Sequence, residues 1–160
     1  MTELTFREFW EQRVALTPDA PFVHHDADTW TYSGFDASIN RLANGMRAAG
    51  IGAGSKVGLY LANSFELLRR QWALQKLGAI WVPIIPSSTR SEALYVLEHA
   101  GVDALIAGAE QWNRLAEPGW AARAFVEDGG PTCAHDVGPW RRPTRRHRRR
   151  RLSPGWTRWH

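Results

Sequence analysis

The sequence is poor in lysine and cysteine, and it has no long apolar run. Of its 160 residues, two are lysine and one is cysteine, Cys133. A single cysteine excludes an internal disulfide and a cysteine-based metal cluster, and it fits a reducing compartment. No stretch approaches the ~18 apolar residues of a membrane span, and residues 1–10 lack the apolar segment of a signal peptide. We therefore expect a cytoplasmic protein.

Charge divides the chain into two unequal parts. Residues 1–140 carry 11 Lys+Arg and 16 Asp+Glu, a net charge of −5. Residues 141–160 carry nine Arg and no acidic residue, a net charge of +9. The high pI of about 9.8 therefore describes a short tail. The mildly acidic body has no electrostatic reason to bind nucleic acid or anionic lipid.

The first helix is indicated by a capping box at Thr5 and Glu8, in which hydroxyl and carboxylate satisfy each other's backbone amides. Pro18 ends this helix. Its apolar residues are expected on one face: Phe6, Phe9, Trp10 and Val14. Residues 22–25 and 29–32 then read as two short strands around a turn.

A second helix is predicted from a cap at Ser33 to a left-handed end at Gly50, after which Ile51 folds back. Residues 57–62 follow as an unbroken apolar run, typical of a strand buried on both faces. A helix capped at residues 63–66 and ended by Gly78 leads to an apolar strand at 79–82. This is a βαβ unit.

The same rhythm continues beyond that unit. Thr89 and Glu92 cap another helix, Gly101 ends it, and residues 104–107 form a third strand. Residues 124–126 are a further short strand candidate. Successive βα units predict an α/β fold, a parallel sheet with flanking helices.

Several segments, in their order and spacing, resemble the AMP-forming acyl-CoA synthetases, adenylate-forming enzymes that activate carboxylic acids with ATP and pass them to CoA. The resemblance runs from about Phe6 to Ala107, with Ser55 and Ile85 as departures from the usual pattern. The matching segments are residues 29–32, 40–45, 50–57, 63–66, 78–84 and 89–94.

The resemblance implies a truncated enzyme. Residues 1–130 would be a partial AMP-binding domain, the incomplete N-terminal domain of an adenylate-forming enzyme. That family uses ATP, Mg²⁺ and CoA, and its ATP-binding elements lie later in the chain, including a Ser/Thr/Gly-rich loop with a lysine. Lys56 and Lys76 both precede that point. We therefore predict no catalytic, cofactor-binding or metal residue, and no activity for this chain alone.

Two motifs could suggest a binding function, but a structural role explains each of them better. The glycines of residues 50–54 follow a helix and precede a strand, the reverse of a phosphate-binding order. His24 and His25 are adjacent on a strand and point to opposite faces, so a shared metal site is disfavoured.

Two further groups of residues are expected to have no catalytic role. Cys133 with His135 and Asp136 lacks the geometry of a nucleophile and its base. The caps at Asn63, Glu66, Thr89 and Glu92 need no catalytic explanation. Three aromatic residues are expected in the core: Phe65, Trp72 and Trp81.

The Arg-rich tail, residues 131–160, has two explanations. Arginines interleaved with Trp140, Trp156 and Trp159 suit phosphates and stacked bases, which favours a binding protein for nucleic acid or an acidic partner. Out-of-frame reading of GC-rich DNA would give the same composition, and the scarcity of lysine favours it. In either case the tail is expected to be disordered, because its charges repel and little apolar surface is present.

Overall fold

The computed structural model describes residues 4–115, 123–127 and 134–136. The helices are α1 Phe6–Leu16, α2 Tyr32–Ala48, α3 Phe65–Lys76, α4 Arg90–Ala100 and α5 Ala109–Leu115. The strands are β1 Pro21–His25, β2 Asp28–Thr31, β3 Lys56–Tyr60, β4 Ile80–Pro83, β5 Ala104–Gly108, β6 Arg123–Glu127 and β7 Ala134–Asp136. None of the described helices is long and apolar enough to cross a membrane.

Five strands form one sheet in the order β4-β3-β5-β6-β7, and β1 pairs with β2 as a separate antiparallel hairpin. The first four strands of the sheet are parallel, with Val57 of β3 beside Trp81 on one side and Ala104 on the other. β7 runs antiparallel to β6. The predicted α/β fold with a parallel sheet and flanking helices is confirmed.

The sheet is covered on both faces because its central strands alternate between two cores. Val57 and Leu59 of β3 and Ile106 of β5 belong to the core under α1, α2 and α3. Tyr60 and Leu105 point the other way, into the core under α4 and α5. β3 therefore has buried residues on both sides, as its apolar run predicted.

An aromatic cluster occupies the face under α1, α2 and α3, here called the aromatic face. Trp10 is 1% exposed, and its ring centroid lies 4.5 Å from Trp72 and 5.0 Å from Phe22. Phe35 is fully buried in the same cluster. Edge-to-face contacts of this kind add to the hydrophobic gain of burying the rings. Phe65, Trp72 and Trp81 pack against this core, so their predicted core positions are confirmed.

A buried polar network fastens the three helices of the aromatic face together. The Lys76 ammonium donates to Asp36 Oδ1 and Asn40 Oδ1, each at 2.7 Å. Trp10 Nε1 donates to the same Asp36 oxygen at 2.6 Å, and Asn40 Nδ2 donates to Asp36 Oδ2 at 2.7 Å. The charge of Lys76 is thus paired and hydrogen-bonded, as a buried cation requires.

On the opposite face, here called the glycine face, α4 packs closely against β3. A methyl group added at Gly58 would stand 2.8 Å from Leu97 Cδ2 and 3.2 Å from Leu105 Cδ1. The missing side chain therefore lets α4 approach β3. α5 completes this face with Leu115, which is fully buried.

β4 lies at one edge of the described sheet, which explains why it is less buried than β3 and β5. Ile80 is 51% exposed, although the sequence predicted simply another apolar strand. Pro83 ends β4 and has no N–H to offer along this edge. Proline on an edge strand discourages pairing with another chain.

The helix caps follow the predicted chemistry, with two corrections. The capping boxes of α1 and α4 are present at Thr5 with Glu8 and at Thr89 with Glu92. α2, however, begins at Tyr32, because the Thr31 hydroxyl already accepts from the Gly34 amide; the predicted cap at Ser33 is wrong.

In α3 the capping role belongs to Ser64, whose hydroxyl accepts from the Leu67 amide at 3.2 Å, and not to Asn63. Glu66 instead pairs with Arg69 at 2.6 Å.

Phe9 and β7 also differ from what the sequence predicted. Phe9 is 51% exposed, so it does not share the buried face of α1 with Phe6, Trp10 and Val14. β7 at Ala134–Asp136 is a strand within the segment expected to be a disordered tail. The other residues of that segment lie outside the described residues, and the boundary at residue 130 stays a prediction.

Candidate functional site

The strand order places a topological switch between β3 and β5. From β3 the chain moves to β4 on one side, and it then crosses back over β3 to β5 on the other. The connecting helices α3 and α4 therefore lie on opposite faces, which opens a crevice at the carboxyl ends of the strands. In open parallel sheets this is where ligands bind. The chain there consists of residues 61–64 after β3, residues 84–89 after β4 and the start of α5 after β5.

The loop of residues 84–89 is held rigidly at this edge by two side chains. Tyr60, fully buried at the end of β3, donates its hydroxyl to the Ser88 carbonyl at 2.8 Å. Arg114 of α5 donates to the Pro86 carbonyl at 2.6 Å and to Glu110 at 2.7 Å. The loop therefore has a fixed path, set by residues from two other elements. We call these contacts the Tyr60–Arg114 brace.

Sequence reasoning missed both residues of the brace. Tyr60 was counted only as part of an apolar strand, and Arg114 lies in a stretch with a weak pattern. The one available signal was a phenol hydroxyl at the end of a strand buried on both sides, because such a group needs a hydrogen-bond partner.

A shallow groove of about 730 Å³ lies beside this loop. Its lining combines serine hydroxyls with exposed apolar side chains: Pro83, Ile84, Ile85, Ser87, Ser88, Ser91, Glu92, Tyr95 and Val96. Ile85 and Tyr95 are 70% and 66% exposed. Nothing in this lining has the arrangement of a nucleophile with a neighbouring base.

The polar groups at the starts of α3 and α4 are already engaged. The Glu92 carboxylate accepts from the Thr89 amide at 2.8 Å and from the Thr89 hydroxyl at 2.9 Å. These two hydrogen bonds, the backbone one first, lower the pKa of Glu92 below its ordinary value. A carboxylate thus occupies the N-terminus of α4, which opposes binding of a phosphate there.

Both lysines of the chain serve the scaffold. Lys56 is the first residue of β3, so it lies at the amino ends of the strands, opposite the crevice. Its ammonium donates to the Ala100 carbonyl at 2.7 Å. Lys76 is buried in the network with Asp36. Neither is available at the carboxyl edge for a triphosphate. Among the described residues, no group of three or more His, Cys, Asp or Glu could hold a metal ion.

The glycine-rich motif at residues 50–54 has a structural role. Residues 50–54 form the turn between α2 and β3, with Gly50 at φ 86° and the Ile51 amide bonded to the Met46 carbonyl at 2.9 Å. This is the helix ending that the sequence predicted.

His24 Nδ1 lies 2.9 Å from the Thr29 hydroxyl, whereas the His25 ring stacks on Phe65. The two histidines thus have separate partners. Cys133 lies outside the described residues, so its predicted lack of a catalytic role stays a prediction.

A second cavity, of about 250 Å³, opens on the aromatic face between α2, α3 and strands β5 and β6. We call it the arginine cleft. It combines an apolar floor with two guanidinium groups: Arg41, Leu42, Gly45, Met46, Arg70, Ile106 and Phe125. Arg70 is 7% exposed and lies 3.7 Å from Glu66 Oε2. Arg41, in contrast, is exposed and forms no ion pair with any described residue.

A parallel sheet with a switch point and helices on both faces defines the doubly wound α/β class. Within that class, the family described as "AMP-binding enzyme" matches residues 10–143, and the chain belongs to this family. The resemblance to adenylate-forming enzymes is confirmed at this level, and the match extends past the predicted boundary at residue 130.

Curated relatives include large synthetases. Surfactin synthase subunit 3 of Bacillus subtilis (strain 168) is 30% identical over 122 residues, which is 75% of this chain and 10% of that protein. Malpibaldin synthetase of Mortierella alpina is 35% identical over 98 residues, 61% of this chain and 2% of that protein. The chain thus spans a small fraction of each of these relatives.

Solved structures show the same fold. The N-terminal subdomain of Klebsiella oxytoca NpsA, in complex with 3-hydroxyanthranilyl-AMSN, superposes with a TM-score of 0.68 at 24% identity. The similarity covers 76% of this chain and 30% of that one. O-succinylbenzoate Coenzyme A synthetase of Bacillus subtilis, in complex with AMP, gives a TM-score of 0.61 at 24% identity, covering 64% of this chain and 27% of that one.

Proposed function

We propose that this chain supplies the N-terminal part of an adenylate-forming enzyme, which activates a carboxylic acid with ATP and releases pyrophosphate. The observation that carries the proposal is the family match over residues 10–143, on a sheet whose order and helices follow the class. In this proposal the chain is scaffold. Its contribution to the site is the rigid loop that the Tyr60–Arg114 brace holds at the carboxyl edge.

By itself the chain is proposed to be inactive. ATP and Mg²⁺ would normally supply the adenylyl group and neutralise the phosphates. The described residues do not fit either of them, because both lysines and the capping hydroxyls are engaged in the scaffold. Catalysis by this family therefore requires polypeptide beyond the described residues. The chain spans 30% of the solved NpsA subdomain, which supports that requirement.

The acyl acceptor of the parent enzyme is proposed to be a carrier-protein thiol. Relatives near 30% identity include surfactin synthase subunits and a protein named as a probable non-canonical nonribosomal peptide synthetase. A solved structure with the same fold is an adenylation–PCP di-domain. CoA is the second candidate acceptor. It is favoured by the sequence resemblance to acyl-CoA synthetases and by the fold shared with O-succinylbenzoate Coenzyme A synthetase.

Exchange of radioactive pyrophosphate into ATP tests the inactivity. The purified chain would be incubated with ATP, Mg²⁺ and panels of amino, aromatic and fatty acids, beside a complete family member with its own acid. We expect exchange from the complete enzyme only. Acid-dependent exchange catalysed by this chain would refute the proposal, as would a crystal in which its backbone amides grip a soaked nucleotide.

Translation of the DNA beyond the codon for Gly130 in the other two frames tests the parent reaction. We expect a Ser/Thr/Gly-rich loop with a lysine to be encoded there, because that loop holds the phosphates in this family. A carrier domain encoded further on would favour the thiol acceptor over CoA. An absence of family sequence in every frame would contradict out-of-frame reading as the origin of the Arg-rich tail.

The alternative of a nucleic-acid-binding protein depends on the Arg-rich tail. Except for Ala134–Asp136, the tail lies outside the described residues, so this alternative stays a prediction. Salt-sensitive binding to nucleic acid that disappears on deletion of residues 140–160 would favour it.

A further inference from the structure

We draw no further inference here: the strongest candidate, the groove of about 730 Å³ that Ile85 and Tyr95 line between the loop of residues 84–89 and α4, is an exposed apolar surface, and nothing in the part of the chain that the structure describes shows what covers it.

Discussion

The two faces of the sheet are packed by different means. On the aromatic face, rings from four separate elements meet around Trp10, and a buried ion pair of Asp36 with Lys76 links α2 to α3. On the glycine face, aliphatic side chains of α4 approach the backbone of β3 at Gly58. The first face depends on contacts between distant parts of the chain, the second on closeness between neighbouring βα units. Substitutions should therefore differ in effect from one face to the other.

Removal of the central ring of the aromatic face should have the largest effect. Trp10→Ala is expected to lower the free energy of unfolding by about 3–5 kcal/mol, through lost burial and the cavity that remains. It also removes the indole N–H from Asp36. Denaturation in urea measures this. Phe9→Ala is the control, because Phe9 on the same helix is 51% exposed and should cost under about 1 kcal/mol. Equal costs would show that the ring cluster is not the core of this face.

The buried ion pair should rank second. Lys76→Met keeps the length of the side chain but leaves Asp36 without its cation, for an expected loss of about 2–4 kcal/mol. Asp36→Asn in the same chain should restore part of that loss, since an amide needs no countercharge. A double-mutant cycle measures the coupling. Additive losses would mean that the two side chains stabilise the fold independently.

Adding a single methyl group at Gly58 tests the close packing of α4 against β3. Gly58→Ala would place its Cβ 2.8 Å from Leu97 and force α4 outward, for an expected cost of about 1–3 kcal/mol. Gly52→Ala is the matched control, because nothing lies within 4 Å of its added methyl. Its unfolding midpoint should move little. A neutral Gly58→Ala would indicate that Leu97 moves aside freely.

Removal of a capping carboxylate, on α1 or on α4, should have the smallest effect on stability. Hydrogen bonds from Thr5 and Thr89 lower the pKa of Glu8 on α1 and of Glu92 on α4 below the ordinary value of 4.5. The ionised Glu8 and Glu92 therefore stabilise the folded protein fully above pH 4.5, and this stabilisation is lost as the pH falls through their pKa in the folded state. Glu8→Gln and Glu92→Gln should each flatten the dependence of Tm on pH between about 5 and 3. Glu98→Gln, on α4 away from its cap, is the control, and an equal flattening there would contradict the assignment to capping.

The local patterns of the sequence predicted most of the fold. Capping boxes, glycine helix ends and apolar runs located α1, α4, β3 and β5, because these signals act between residues close in the chain. The errors were also local. α2 begins two residues early because the Thr31 hydroxyl reaches the Gly34 amide, and Phe9 is exposed because a helix turns it away from the core.

The candidate site was less predictable. Tyr60, Arg114 and the loop of residues 84–89 are brought together by bonds spanning 28 positions in the sequence. No periodicity records such a contact. The arginine cleft likewise joins α2, α3, β5 and β6, and its residues looked unrelated in the sequence.

By itself the sequence determined that α1 to α4 are helices and β1 to β6 are strands, that the central sheet is parallel, and that the chain resembles the adenylate-forming enzymes. The reason is that helix caps, apolar runs and motif spacing depend on residues that are close together in the sequence. Only the tertiary structure decided the strand order, the assignment of each helix to a face, and the commitment of both lysines to the scaffold. Those features depend on contacts such as Lys76 with Asp36, 40 positions apart, which form only when the helices pack on the sheet.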